Sequence, residues 1–243
     1  MRAMTSSFVH YNSFGGYLIV VLSLAMVLLL ASNYFGLKTG GLFIFCIVST
    51  VAIFLTFSRG SWMALLGSFI FIFVFSRKNL NRLIPILLLT ITMFFIPTFY
   101  ERLFLAFKSG GDSDRFRYWL AAFKMINEHP FLGIGMGTFM ANFPKYLPNS
   151  YISYAHNCYL QIWAETGIFS LVSFILFITS IVYLGIKKYL ISKDLLLFGL
   201  LSGMVGFLIH SFFESNLYSL QLAFLFWVWI GLIIARLRGV YNE

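Results

Sequence analysis

Almost no charge interrupts seven apolar runs, at about 14–35, 40–57, 61–76, 83–99, 168–186, 195–213 and 219–235. A segment that crosses a bilayer needs about 20 mostly apolar residues. The runs therefore predict an all-α fold: a polytopic transmembrane helical bundle of about seven spans. The 61–76 run is short and needs help from its flanks. Composition agrees, with 60% hydrophobic and only 10% charged residues, where soluble domains carry about 25% charged. The first run is long enough to span and no small-residue cleavage site follows it, so it does not read as a signal peptide. With no soluble domain and no low-complexity linker, residues 1–243 read as a single membrane domain.

One segment departs from this pattern. Residues 100–167 hold Glu101, Asp112, Asp114, Glu128 and Glu165, together with His129 and His156. Lys and Arg in short loops orient a membrane protein, the dense set staying in the cytoplasm. Lys38, Arg77, Lys78, Arg82, Lys187, Lys188, Lys193, Arg236 and Arg238 fall on one side in very short connections. Arg2, Arg59, Arg102, Lys108, Arg115, Arg117, Lys124 and Lys145 fall on the other, spread out and mixed with acids. The 100–167 segment is therefore expected to be one large outward loop containing amphipathic helices, and the N-terminus to face outward too. The net charge of +9 is then mostly topology. Nucleic acid is not an expected partner, because the basic residues form no continuous stripe. Cys46 and Cys158 lie in different settings and suggest neither a disulfide nor a metal site.

Within the loop, Gly110-Gly111-Asp112-Ser113-Asp114 predicts a turn ending in a helix N-cap. Phe116, Trp119, Leu120, Phe123 and Ile126 then recur at helical spacing and cluster on one face. Arg115 falls beside that face and is expected to point into the protein; Arg117 and Lys124 fall opposite and are expected to meet water or headgroups. A cation in the first helical turn gains nothing from the helix dipole, which suggests a bound anion at Arg115. A surface amphipathic helix with incidental arginines explains the same spacing. Gly133-Ile134-Gly135-Met136-Gly137 lacks the preceding strand and following acid of a nucleotide site, and reads as a tight turn that lets backbone approach another element. Phe143, Pro144, Tyr146, Leu147, Pro148 and Tyr151 form an aromatic and proline-rich loop, which either lines a sugar site or sits at the interface.

Ala155-His156-Asn157 opens a helix running toward the fifth apolar run. A histidine there suits a general base near neutral pH, or is simply a hydrogen-bonded interfacial residue. Glu165 is too far along that helix to orient it, about 13 Å of rise away. Glu214, in His210-Ser211-Phe212-Phe213-Glu214, is the better partner, since carboxylates at membrane edges are costly unless paired. Arg59, held tightly in Ser58-Arg59-Gly60, either snorkels to the interface or binds an anion.

Several of these motifs together resemble the O-antigen ligase and O-antigen polymerase group of bacterial membrane proteins. The resembling residues are Ser58-Arg59-Gly60, Asp114-Arg115 with Trp119, His129-Pro130-Phe131-Leu132-Gly133-Ile134-Gly135, Ala155-His156-Asn157 and Glu165-Thr166-Gly167-Ile168. Tyr11-Asn12-Ser13-Phe14-Gly15-Gly16-Tyr17 also looks like a family stretch. The resemblance implies a multi-pass enzyme of the bacterial cytoplasmic (inner) membrane. It would move a glycan from a polyprenyl-diphosphate donor to a lipid- or glycan-linked acceptor on the outer face. Carried over by motif, Arg59 and Arg115, with Arg117 beside them, would bind the diphosphate. His156 would act as base or acceptor-positioning group, with Glu214 as its looser companion. No metal or other cofactor is expected, and displacement at the anomeric carbon would invert it. Ligase and polymerase share this donor chemistry and differ in acceptor.

Family members usually have more spans than seven, and the rest would lie before Met1. The chain then reads as a fragment, a split gene product whose partner supplies spans, or a compact relative. The competing function is a non-enzymatic transporter or polyprenyl-lipid-binding protein, or an inactive family fragment. Transporters place polar groups near the middle of their spans; here they gather outside, which favours the enzyme.

Overall fold

The computed structural model describes residues 3–6, 8, 10–32, 36–76, 80–108, 113–148 and 150–239, with side chains at all of these except 102–103, 105–108 and 113–114. Arg2, Arg77, Lys78 and the turn at 110–112 lie outside the described residues, as do the side chains of Arg102, Lys108 and Asp114. Among the described residues the fold is all-helical, without strands. The helices are α1 (Tyr11–Ala31), α2 (Leu37–Leu55), α3 (Arg59–Phe75), α4 (Ile84–Phe95), α5 (Pro97–Lys108), α6 (Ser113–Glu128), α7 (Phe139–Tyr146), α8 (Cys158–Ser192), α9 (Leu195–Ser211) and α10 (Leu220–Arg238). Among the described residues each of the seven apolar runs is mainly helical, and the 83–99 run is divided between α4 and α5 at Ile96. α1, α2, α8 and α10 are long and apolar enough to cross a membrane, while α3, α9 and α4 with its leading 3₁₀ turn are apolar but shorter.

α1 and α9 form the central pair, with α2 and α3 on one side and α8 and α10 on the other. Their close approach depends on glycines of α9. A Cβ at Gly199 would lie 2.5 Å from Leu24, one at Gly203 2.8 Å from the Val20 carbonyl, and one at Gly206 2.5 Å from both Ile19 and Ser68. Small residues at this spacing let helix backbones meet in lipid, where no hydrophobic force drives the helices together. A separate core joins α6, α7 and the start of α8 through Tyr118, Ala121, Ala122, Met125, Phe139, Phe143 and Ala164.

The two ends of the bundle differ in charge. At one end, Arg82 donates to the Leu29 carbonyl at the end of α1 (3.1 Å), Lys188 to the Arg236 and Leu237 carbonyls (2.7 Å), and Arg236 pairs with Asp194 (2.6 Å). Cations there satisfy the free carbonyls of helix C-termini. At the other end lie Asn12, Arg59, His156 and Glu214, each at or near a helix terminus of α1, α3, α8 or α9.

Two local expectations are corrected. The face of α6 turned to the protein is Tyr118, Ala121, Ala122, Met125 and Ile126, while Phe116, Leu120 and Phe123 are exposed. Small alanines allow α6 to seat closely against its neighbours. Residues 143–146, expected in a loop, belong to α7, and Phe143 and Tyr146 are core rather than sugar-facing.

A valine at Gly203 should overpack the α1–α9 contact and lower stability by about 1–3 kcal/mol. Thermal melts of the detergent-solubilised protein check this against Gly231→Ala, whose Cβ meets nothing within 4 Å. Equal melting temperatures for the two variants would contradict the packing account.

Candidate active site

The glycine turn after α6 and the glycine inside α8 are built against each other. Gly133, Gly135 and Gly137 all have positive φ (69°, 112° and 73°), and Gly167 interrupts α8 at φ 82° and ψ 173°. A Cβ at Gly167 would stand 1.9 Å from the Phe131 carbonyl oxygen, and one at Gly133 would stand 2.3 Å from the Glu165 carbonyl carbon. Neither fits, so only glycine suits both the conformation and the space. The freed backbone groups of the α8 interruption are satisfied by the turn. Ile134 N donates to Ala164 O and Gly135 N to Glu165 O, both at 2.9 Å, and Ile168 N donates to Pro130 O at 3.0 Å. Trp163 Nε1 reaches the same Pro130 oxygen at 3.2 Å. The turn reading of these glycines therefore describes their role here: backbone meets backbone.

Glu165 extends this lock. Its carboxylate accepts from Gly137 N at 2.8 Å, Phe139 N at 3.0 Å and Tyr218 Oη at 2.9 Å. It thus occupies the N-terminal end of α7, where free N–H groups favour an anion. Burial, then the adjacent Glu165 carboxylate, push the Tyr218 phenol upward, so it stays a donor.

The polar cluster proper joins four chain segments. His156 Nδ1 meets Glu214 Oε1 at 2.8 Å, and the Asn12 amide donates to the other carboxylate oxygen. Ser153 Oγ lies 3.1 Å from His156 Nε2. The ring of Tyr118 stands 5.5 Å from the imidazole, centroid to centroid. Asn157 caps α8, its side chain accepting from Tyr159 N and Leu160 N at 3.0 Å, which leaves His156 just outside the helix in the left-handed region at φ 48°. The histidine is thereby aimed away from the α8 axis. Burial alone would raise the Glu214 carboxyl. The hydrogen bond and charge of His156, with Arg115 and His210 adding, outweigh it and hold the group down at about 2.

Arg115 lies half-buried on α6, and its charge acts on Glu214. Arg117 is exposed and donates to Ser150 Oγ at 2.6 Å. Arg59 opens α3 behind Phe57, itself left-handed at φ 55°, and its neighbour Gly60 is seated on Phe213, where a Cβ would come within 2.7 Å. That contact brings the Ser58-Arg59-Gly60 turn to the residue before Glu214. Bulky residues with positive φ are uncommon and concentrate where structure over-determines a site. Asn12, Ser153 and Tyr118 also join the cluster. In the sequence Asn12 is marked by its place in the family-like stretch Tyr11-Asn12-Ser13-Phe14-Gly15-Gly16-Tyr17, with no role attached to it; Ser153 carries no mark except its place three residues before His156.

A histidine with one nitrogen on a carboxylate and the other on a hydroxyl is arranged for proton transfer at the second nitrogen. Among the described residues no group of three or more His, Cys, Asp or Glu could hold a metal ion.

Glu214 has a carboxyl depressed below its ordinary value, so its stabilising pairing is complete above the unfolded value of 4.5 and is lost as pH falls toward about 2. Wild-type protein should therefore lose melting temperature on acidification through this window more steeply than Glu214→Gln; parallel curves would contradict the pairing. Gly167→Ala should open the lock, and limited proteolysis should then cut between α6 and α8 faster than in wild type.

No curated protein matches the chain, and no solved structure matches it. A sequence model of the O-antigen ligase family matches residues 44–175. That stretch contains Arg59, Arg115, the glycine turn, His156 and Gly167; Asn12 and Glu214 lie outside it. The match covers more than half of the chain, and with the helical bundle and its motif order it shows that the protein belongs to the O-antigen ligase family.

Proposed function

We propose that the protein moves a glycan from a polyprenyl-diphosphate donor to the hydroxyl of a lipid- or glycan-linked acceptor, at the outer face of the bacterial cytoplasmic membrane. The observation that carries this reading is the His156–Glu214 hydrogen bond, 2.8 Å long between residues 58 apart. In its neutral form, with the Nδ1 proton donated to Glu214, His156 presents the Nε2 lone pair toward Ser153 Oγ. A hydroxyl already stands where an acceptor hydroxyl would need to be.

In the proposed reaction the acceptor oxygen attacks the anomeric carbon while the bond from that carbon to the phosphate oxygen breaks. The bonding pair leaves with the diphosphate, and the acceptor proton passes to His156 Nε2. Attack opposite the leaving group inverts the anomeric centre. Arg59 and Arg115 balance the charge that develops on the diphosphate through charge-assisted hydrogen bonds, with no need for a metal. Arg117, tied to Ser150, has a peripheral share.

The sidedness rests on charge. Lys187, Lys188, Lys193, Arg236 and Arg238 crowd the end of the bundle opposite His156, which suits a cytoplasmic face. In this reading residues 1–243 act as one membrane domain and 100–167 form its outward segment, whose exposed Phe116, Leu120 and Phe123 meet membrane lipid.

His156→Ala and Arg115→Ala should each cut transfer by about a hundredfold or more in a reconstituted assay with polyprenyl-diphosphate glycan, leaving a residual rate that can be measured, with membrane insertion intact. Arg117→Ala should be milder. Normal transfer by His156→Ala would remove the catalytic reading.

A further inference from the structure

Among the described residues, three buried side-chain polar atoms lack a hydrogen-bond partner: Asn12 Oδ1, Ser68 Oγ and Trp119 Nε1. Ser68 sits in the apolar middle of the bundle, against Gly206. The other two border the polar cluster. Asn12 has its amide fixed by chemistry, because a carboxylate such as Glu214 only accepts, so the NH₂ must face it and Oδ1 is the free atom. That atom is an acceptor.

Trp119 is the opposite case. An indole N–H can only donate, and a buried donor without an acceptor is a standing cost that native structures avoid unless something occupies the position. Packing fixes where this donor is. The ring meets Phe212 edge-on, with centroids 6.2 Å apart and planes at 74°, two residues before Glu214. Arg115 precedes Trp119 by four residues on α6 and so lies on the same face, one turn away. Arg115 in turn acts on Glu214. A permanent cation and an unsatisfied neutral donor thus stand side by side on one helix, turned toward the segment that carries the carboxylate.

We infer that the Trp119 indole N–H is a further ligand of the donor substrate, donating to a non-bridging phosphate oxygen of the diphosphate that Arg115 holds. The inference rests on the proposed function. A phosphate oxygen is favoured over a sugar hydroxyl because the neighbouring guanidinium draws the anion there, and an anionic oxygen is the stronger acceptor. The edge contact with Phe212 keeps the N–H aimed before substrate arrives, so its alignment takes little further ordering of the ring.

The test uses the full chain in nanodiscs, with a glycan-free polyprenyl diphosphate as the probe and Trp119→Phe as the variant. The smaller phenyl ring keeps an aromatic group beside Phe212 and removes the donor. Binding of the probe should weaken about tenfold, and in transfer assays the KM for donor should rise while that for acceptor stays constant. The unliganded melting temperature should not fall, because no bond is lost in the free protein; a structural tryptophan would lower it. Benzothienylalanine at position 119 keeps the bicyclic ring without the N–H and should behave as Trp119→Phe does, should the smaller ring disturb folding. Unchanged probe binding by both variants overturns the inference, as does a loss seen only with the glycan-bearing donor, which would put the N–H on sugar. Failure of wild-type protein to bind the diphosphate would instead overturn the functional reading itself, and this inference with it.

Discussion

Glu214 is a carboxylate held at the polar end of an otherwise apolar bundle, and such a group persists only when its charge is matched. Here the matching comes from three separate parts of the chain: His156 ahead of α8, the Asn12 amide at the start of α1, and the charge of Arg115 on α6. Replacing any one leaves a part-buried charge less well answered. The carboxylate therefore does two things with one set of contacts. It ties the loop region to the bundle, and it fixes which nitrogen of His156 carries the proton.

Glycine makes those contacts reachable. Gly203 and Gly206 let α9 lie against α1, which sets Glu214 near Asn12; Gly60 lets the start of α3 close on Phe213. Gly133 and Gly167 let the turn after α6 rest on the broken backbone of α8, and that lock holds α6, with Arg115 and Trp119, over the same end. In lipid the usual apolar driving force between helices is absent, so close backbone contact and satisfied polar groups carry more of the specificity. The family match spans the Gly133–Gly167 lock together with Arg59, Arg115 and His156, whereas the partners supplied by Asn12 and Glu214 lie beyond it.

The helical runs were legible because each is a continuous apolar stretch, a signal that survives without knowledge of neighbours. The glycine turn was legible as a turn for a similar reason, since three alternating glycines disfavour a regular helix and permit positive φ. The face of α6 was not. Of the periodic apolar stripe, Ile126 is buried and Trp119 partly so, while Phe116, Leu120 and Phe123 face out and Tyr118, Ala121, Ala122 and Met125 face in, so periodicity alone selects only part of the packed face. Phe143 and Tyr146 misled for a related reason: proline nearby suggests a loop, while α7 takes Pro144 near its end and buries the aromatics. The link from Glu214 to His156 could be read from the cost of a lone carboxylate at a membrane edge, but the contacts of Asn12 and Ser153 could not: the partner of Asn12 lies 202 residues away, and an uncharged amide or hydroxyl carries no comparable penalty to betray it.

The central claim is that His156 and Glu214 act as one unit in glycan transfer. A double-mutant cycle measures this directly, comparing transfer rates of His156→Ala, Glu214→Ala and the combined variant in the same reconstituted membrane. The account predicts strong non-additivity, with Glu214→Ala causing little further loss once His156 is gone. Losses that simply multiply would mean that the two side chains touch without working together.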